Sequence, residues 1–416
     1  MKAEASRILL AMAALLMLLA PVHARTLHVL HTFEASDGLA PGALTQDSAG
    51  NLYGAAAEGG IHNCPAPNNA GCGTVFELQN SNWAFKMLYE FQSRMDGWSP
   101  NSPLTLDASG NLYGTTLDGG IEGGGGTVFH LFPVCNDPGC HQLVWKKTVL
   151  YRFRPCDGAG TNGGLIFDTS GNLYGTTVVV CNQPTGEAYE LSPAQNLNGT
   201  WNMTREYVFQ GPPDGRWPEG PVVRDQAGNL YGSTLGGGSF DLGTVYRLTP
   251  TGNGWTECVL YSFMGETDGR KPIGNLIFDG TGDLYGVTNG DSQPSGVFEM
   301  ASTDCGKGAV EPLFAFPQQG VGLASGLVRD SAGNLYGAAP LGGMYGYGAV
   351  YELTFTGDSW SYSSVYDFSG GADGAHPQGP LLLDGSGNLY GSAAAGGDPG
   401  CNSGIGCGTV WMISPN

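Results

Sequence analysis

The string G-N-L-Y-G begins at Gly50, Gly110, Gly171, Gly228, Gly333 and Gly387, and a variant, G-D-L-Y-G, begins at Gly282. The seven copies lie 51 to 61 residues apart and run through the chain almost to its end. A fixed period of this length means one supersecondary unit repeated, each burying its apolar surface against its neighbours.

Each period carries four segments. The first is a short apolar run ending in aspartate, as at residues 103–107 and 326–330. The second is N-L-Y-G followed by small residues, as at 111–116. The third is G-T-V-F-E-L or a variant, as at 73–78 and 243–248. The fourth often opens on tryptophan and ends on an aromatic, as at 145–153 and 255–263. All are five to nine residues long, rich in β-branched and aromatic residues, and bounded by Gly, Asp, Asn or Pro, which are strand signals. The D-x-x-G-N link between the first two, as at 47–51, joins an aspartate that can bond the following backbone to a glycine free to take positive φ. Four antiparallel strands per period, seven times over, predict an all-β, seven-bladed β-propeller. The first strand reads as apolar on both faces, so it is expected to be an inner strand packed between blades. The chain ends on a third strand, residues 408–413, while residues 27–33 form an orphan fourth strand resembling residues 149–153. The N-terminal strand is therefore expected to complete the last blade and hide its edge.

The 70 glycines and 13% charged residues suit many short strands and tight turns better than exposed helices. Residues 1–24 read as a signal peptide: Lys2 and Arg7, then an apolar run over 8–20, then a small residue at Ala24. Residues 25–416 are read as the propeller, secreted or periplasmic, with no membrane insertion after cleavage. In an exported chain the ten cysteines imply disulfides. The expected pairs are Cys64–Cys72, Cys135–Cys140, Cys156–Cys181, Cys258–Cys305 and Cys401–Cys407. The net charge of −20 argues against nucleic acid and anionic membranes as partners, and it favours a soluble monomer.

The pieces G-L-V-x-D at 326–330, G-N-L-Y-G-T-T at 110–116 and 171–177, G-T-V-F-E-L at 73–78 and V-L-Y-S-F at 259–263 resemble the bacterial GloVer tandem repeats. The resemblance covers roughly residues 27–416. It implies an exported propeller-like protein and no particular reaction.

No nucleophile elbow, zinc-protease helix, P-loop or EF-hand loop occurs, and no histidine recurs from blade to blade. No cofactor or metal is expected. The recurring tyrosines (Tyr53, Tyr113, Tyr174, Tyr231, Tyr285, Tyr336, Tyr390) read as inter-blade packing with locally satisfied hydroxyls, against the alternative of a sugar-stacking ring. A second set of aspartates opens the loops that cross from one blade to the next: Asp37, Asp96, Asp157, Asp214, Asp268 and Asp373, each followed by glycine. In five of them a proline stands four residues after the aspartate. These loops are either stiffened turns or a binding surface with exposed aromatics. The candidate binding residues are Asp96, Trp98, Asp214, Arg216, Trp217, Asp268, Asp373 and His376. The expected function is a non-catalytic binding module for a glycan or protein ligand. The alternative is a lactonase or a polysaccharide lyase or hydrolase working at the central opening, which the near-uniform apolar inner strands disfavour.

Overall fold

The computed structural model describes residues 25–415 except 62–70, 93, 122–123, 138, 141, 155, 162, 182, 194–200, 253, 266, 291–294, 302–303, 307 and 317–325. It is a seven-bladed propeller of four-stranded antiparallel sheets. Blade 1 comprises Leu39–Gln46, Leu52–Glu58, Thr74–Gln79 and Ala84–Glu90. Blades 2 to 6 follow in sequence, with second strands Leu112–Thr116, Leu173–Thr177, Leu230–Thr234, Leu284–Thr288 and Leu335–Ala339. Blade 7 takes Ala375–Leu383, Leu389–Ala395 and Thr409–Ser414 from the C-terminus and Thr26–Thr32 from the N-terminus. The two ends pair from Thr26 opposite Ser414 to Thr32 opposite Thr409, as the orphan strand led us to expect. Arg25 adds an ion pair to Glu352 of blade 6 at 3.4 Å.

The burial of the inner strands differs from expectation. The second strand is the one buried on both faces, with all five residues of Leu112–Thr116 and its counterparts out of solvent. The first strand alternates, as in Ala375–Leu383, because one of its faces looks onto the axial opening. In blades 2 and 4 it shrinks to Thr105–Leu106 and Val223–Arg224.

The repeat residues have specific work at the blade interfaces. A Cβ on the glycine of L-Y-G would strike the third-strand aromatic of its own blade: it would stand 2.6 Å from Phe129 at Gly114, 2.3 Å from the Tyr246 hydroxyl at Gly232 and 2.4 Å from Trp411 at Gly391. That aromatic in turn meets the terminal phenylalanine of the preceding blade's outer strand. The pairs Phe33–Phe76, Phe91–Phe129, Phe153–Tyr189, Phe209–Tyr246, Phe263–Phe298, Phe316–Tyr351 and Phe368–Trp411 have ring centroids 4.9–5.5 Å apart at steep angles. Every interface of the ring, including the closing one, thus holds one edge-on aromatic pair, each contributing roughly 0.5–1.5 kcal/mol beyond its buried area.

The hairpin turns saturate their aspartates. Asp107 accepts the N–H groups of Ser109 and Asn111 on Oδ1, and the Asn111 amide (2.8 Å) and Tyr113 hydroxyl (3.2 Å) on Oδ2. Asp47, Asp330 and Asp384 repeat the arrangement with Tyr53, Tyr336 and Tyr390. The tyrosines are 3–7% exposed, so they are packing residues with local hydroxyl partners, not an open stacking ring.

Four of the expected disulfides are present: Cys135–Cys140, Cys156–Cys181, Cys258–Cys305 and Cys401–Cys407. The fifth expected pair, Cys64–Cys72, involves Cys64, which lies outside the described residues. Among the described residues no helix is long and apolar enough to cross a membrane.

Candidate functional site

The loops between blades have the form D-G-x-X-P, and the X residue takes the left-handed backbone region in each of blades 1, 2, 4, 5 and 7. Its φ is 52° at Ala40, 55° at Ser99, 61° at Trp217, 50° at Lys271 and 56° at His376. In blade 3 a glycine, Gly160 with φ 71°, supplies the same bend. The bend aims the X-residue N–H back at the preceding blade: Ala40 to the Cys407 carbonyl, Ser99 to Cys72, Trp217 to Thr185, Lys271 to Leu242 and His376 to Tyr347, at 2.7–3.2 Å. Each acceptor stands one residue before the glycine that opens the preceding blade's third strand. The loop's proline then lies against that glycine. The D-G-x-X-P loop and the G-T-V-F strand are two halves of one clasp between blades.

The candidate aspartates belong to this clasp. Asp96 accepts the Tyr89 hydroxyl (2.9 Å) and the Gln92 N–H (3.1 Å); Asp214, Asp268 and Asp373 do the same with Tyr207 and Gln210, Tyr261 and Met264, and Tyr366 and Ser369. Asp96 also pairs with Lys147 at 2.7 Å, whose side chain is 2% exposed. Burial pushes Lys147 down to about 8 despite that carboxylate, and burial raises Asp214 above the usual carboxylate range.

The other candidate residues are less open than expected. Trp98 is half-buried against the core of blades 1 and 2, and its indole bonds the Asp118 carboxyl, which burial raises. Trp217 is half-buried with the Arg216 guanidinium 4.0 Å above its ring, and Arg216 pairs with Asp241 at 2.6 Å. The His376 ring is held by Nδ1 at 2.9 Å from the Pro340 carbonyl oxygen.

None of these eight residues lines the axial cavity that opens on the same face. That cavity, about 630 Å³, has Asn101, Glu219, Lys271, Asn289 and Gln378 as its polar lining residues. Three of them, Asn101, Glu219 and Gln378, occupy one position of the repeat, the residue immediately after the loop's proline. The same position is Gly42 in blade 1 and Ile273 in blade 5, so it varies where the rest of the repeat is uniform. Its variability in an otherwise regular period was the available signal, and reading the loop only up to its proline missed it. The walls between these groups are apolar: Pro41, Pro103, Pro221, Pro380, Leu235 and Ile273. Glu219 has no hydrogen-bond or ionic partner among the described residues, and burial raises its carboxyl above the usual range. Among the described residues no group of three or more His, Cys, Asp or Glu side chains is arranged to hold a metal ion.

Two solved structures are similar in fold. A fungal alcohol oxidase in complex with copper superposes with a TM-score of 0.57 at 12% identity, covering 94% of this chain and 76% of that one. A putative 6-phosphogluconolactonase from Bacteroides uniformis gives 0.50 at 14% identity, covering 84% and 89%. At such identities the likeness concerns the fold alone. No curated protein matches the chain. The model of the Gloeobacter/Verrucomicrobia repeat matches residues 18–198 and 143–318, two overlapping segments that span well over half the sequence. With the repeat residues placed in seven equivalent blades, the chain belongs to the Gloeobacter/Verrucomicrobia repeat family.

Proposed function

We propose that this protein is an exported, non-catalytic propeller that holds a glycan or protein ligand at the axial cavity and the D-G-x-X-P loops around it. One observation carries the reading. The residue after the loop proline changes from blade to blade (Asn101, Glu219, Gln378) and faces the opening, while the clasp residues around it repeat. Uniform positions serve packing and cannot encode one ligand; a ring of unlike polar groups on a rigid frame can. The candidate loop aspartates enter this reading as supports of the rim. The disulfides and the leader sequence fit an oxidising compartment outside the cytoplasm.

The test is capture of ligand by the mature protein, from a glycan array and from an extracellular extract, compared with a Glu219→Ala/Gln378→Ala variant. The proposal expects the variant to melt like the parent and to lose capture. Retained capture with an unchanged melt rejects the cavity as the site. The enzyme alternative draws on the same unlike polar groups. It requires turnover of lactones or polysaccharides that falls with Glu219→Ala.

A further inference from the structure

Charge divides the loop face by blade. Arg154, Arg216, Arg270 and Lys271 stand in the loops that enter blades 3, 4 and 5. No lysine or arginine occurs among residues 26–85 or 331–416, which build blade 7, three strands of blade 1 and three of blade 6. On the loop face of blades 6 and 7 the acids Asp367, Asp373 and Asp398 therefore stand without a basic residue from their own blades.

The same two blades expose apolar side chains beside those acids. Met344 is 76% exposed, Tyr345 57% and Tyr347 45%, all in the loop between the second and third strands of blade 6. Ile405 is 62% exposed in the corresponding loop of blade 7. Backbone contacts join the two loops into one surface. The Met344 N–H donates to Asp367 at 3.0 Å, and the Tyr347 ring lies against Gly370. From the other side, the Gly397 N–H of the blade 7 loop donates to the Gly371 carbonyl at 2.8 Å. The Cys401–Cys407 disulfide spans Ile405 and holds its loop in place. A clustered apolar patch of this kind marks an interaction surface, and tyrosine and methionine are enriched in such surfaces. Its loops are already tied down, so little ordering cost falls on binding.

Charge decides the occupant. A second copy in a two-fold contact would set the three aspartates against their own counterparts. An anionic lipid surface repels them. A protein with lysines or arginines around apolar side chains complements both the charge and the apolar patch. Independently of the axial cavity, we propose that the loop face of blades 6 and 7 docks a basic protein, its apolar side chains on Met344, Tyr345, Tyr347 and Ile405 and its cations beside Asp367, Asp373 and Asp398.

The experiment uses the mature protein and three short synthetic peptides: alternating lysine and tryptophan, alternating glutamate and tryptophan, and alternating lysine and serine. Binding is read by calorimetry, and each variant is also melted. The expected result is that the lysine–tryptophan peptide binds at least tenfold more tightly than the other two and weakens as salt is raised. Met344→Ser/Tyr345→Ser then weakens it at least tenfold with an unchanged melting temperature. Phe240→Ser/Met264→Ser, at exposed apolar residues on the basic side of the ring, leaves it as in the parent. No binding of the lysine–tryptophan peptide, or equal binding to the parent and to Met344→Ser/Tyr345→Ser, overturns the docking surface. Equal binding of the glutamate peptide overturns the partner's charge, and equal binding of the lysine–serine peptide overturns the apolar seat. A dimer in sedimentation, or pelleting with phosphatidylcholine vesicles, that Met344→Ser/Tyr345→Ser abolishes assigns the face to a second copy or to a membrane and overturns the basic protein as its occupant.

Discussion

Pro218 of the fourth blade occupies the space that a side chain on Gly186 of the third would need: a Cβ there would lie 2.4 Å from Pro218 Cδ and 2.5 Å from the Thr177 carbonyl oxygen. Gly186 also has φ 82°, in the region that L side chains resist. The same relation joins Gly73 to Pro100, Gly243 to Pro272, Gly348 to Pro377 and Gly408 to Pro41. Two motifs far apart in the repeat are therefore one device, in which the glycine makes room for the next blade's proline.

Gly186→Ala should destabilise the ring by about 2–4 kcal/mol, combining backbone strain with a clash against backbone that cannot rotate away. Pro218→Ala, which relieves that contact, should cost about 1 kcal/mol and partly rescue Gly186→Ala. Denaturant titration of the two single variants and the double variant checks this. Strictly additive losses would show that the two residues do not share an interface.

The hairpin aspartates set the acid limb of stability. Burial alone would raise Asp107, but the backbone N–H and amide of Asn111, with Ser109 and Tyr113, outweigh it and hold the carboxyl below its usual range. Asp225, Asp279, Asp330 and Asp384 are lowered in the same way. A carboxyl lowered in the folded state contributes stability that is present above its unfolded value, about 3.9, and lost as pH falls through the folded one. The protein should hold its fold down to about pH 4 and lose stability below it. Asp107→Asn should flatten that limb when melting temperature is followed from pH 5 to pH 2.

Glu257 acts with the opposite sign. It stands opposite Leu248 in the strand pairing of blade 4, where blade 2 has Lys147 opposite Leu131. Lys147 neutralises Asp96 at its loop, whereas Glu257 adds a second acid near Asp214. Burial, and then the Asp214 charge, push Glu257 up to about 8. A carboxyl raised in the folded state contributes stability below its unfolded value, about 4.3, that is lost as pH rises through about 8. Glu257→Gln should remove that decline, leaving the variant more stable than the parent at pH 9 and little changed at pH 5. Parallel melting curves at both pH values would refute the assignment.

The ring of blades was legible because its determinants are local and repeated. The turn aspartate, the L-Y-G glycine and the strand aromatics act within one period or on the next, so seven copies average out every irregularity. The axial groups were not legible as a set. Whether Asn101, Glu219 and Gln378 face the opening depends on the bend at Ser99, Trp217 and His376 before each proline. That bend is fixed by a carbonyl of the preceding blade, as in Trp217 to Thr185. The tryptophans misled for a related reason: a loop position by sequence became a half-buried one once the clasp folded it back.

Trp98 and Trp217 now call for different outcomes. Trp98 packs on a cluster that includes Phe91, Leu104 and Phe129, and its indole satisfies the half-buried Asp118. Trp98→Ala removes apolar contact and leaves that carboxyl without its donor, so it should cost about 2–4 kcal/mol. Trp217 carries Arg216 over its ring, and Arg216 pairs with Asp241, whose side chain is 44% exposed. A half-exposed stack of this kind is worth about 1 kcal/mol, so Trp217→Ala should shift the melt only slightly. Its effect belongs instead to the rim: Glu219 follows two residues later, and loss of the indole frees Arg216 to move. If the loop face binds ligand, Trp217→Ala should weaken binding while the melting temperature stays near that of the parent, and Trp98→Ala should lower the melting temperature first. A collapsed melt for Trp217→Ala, with affinity unchanged in the folded fraction, would make this tryptophan a packing residue and remove it from the binding face.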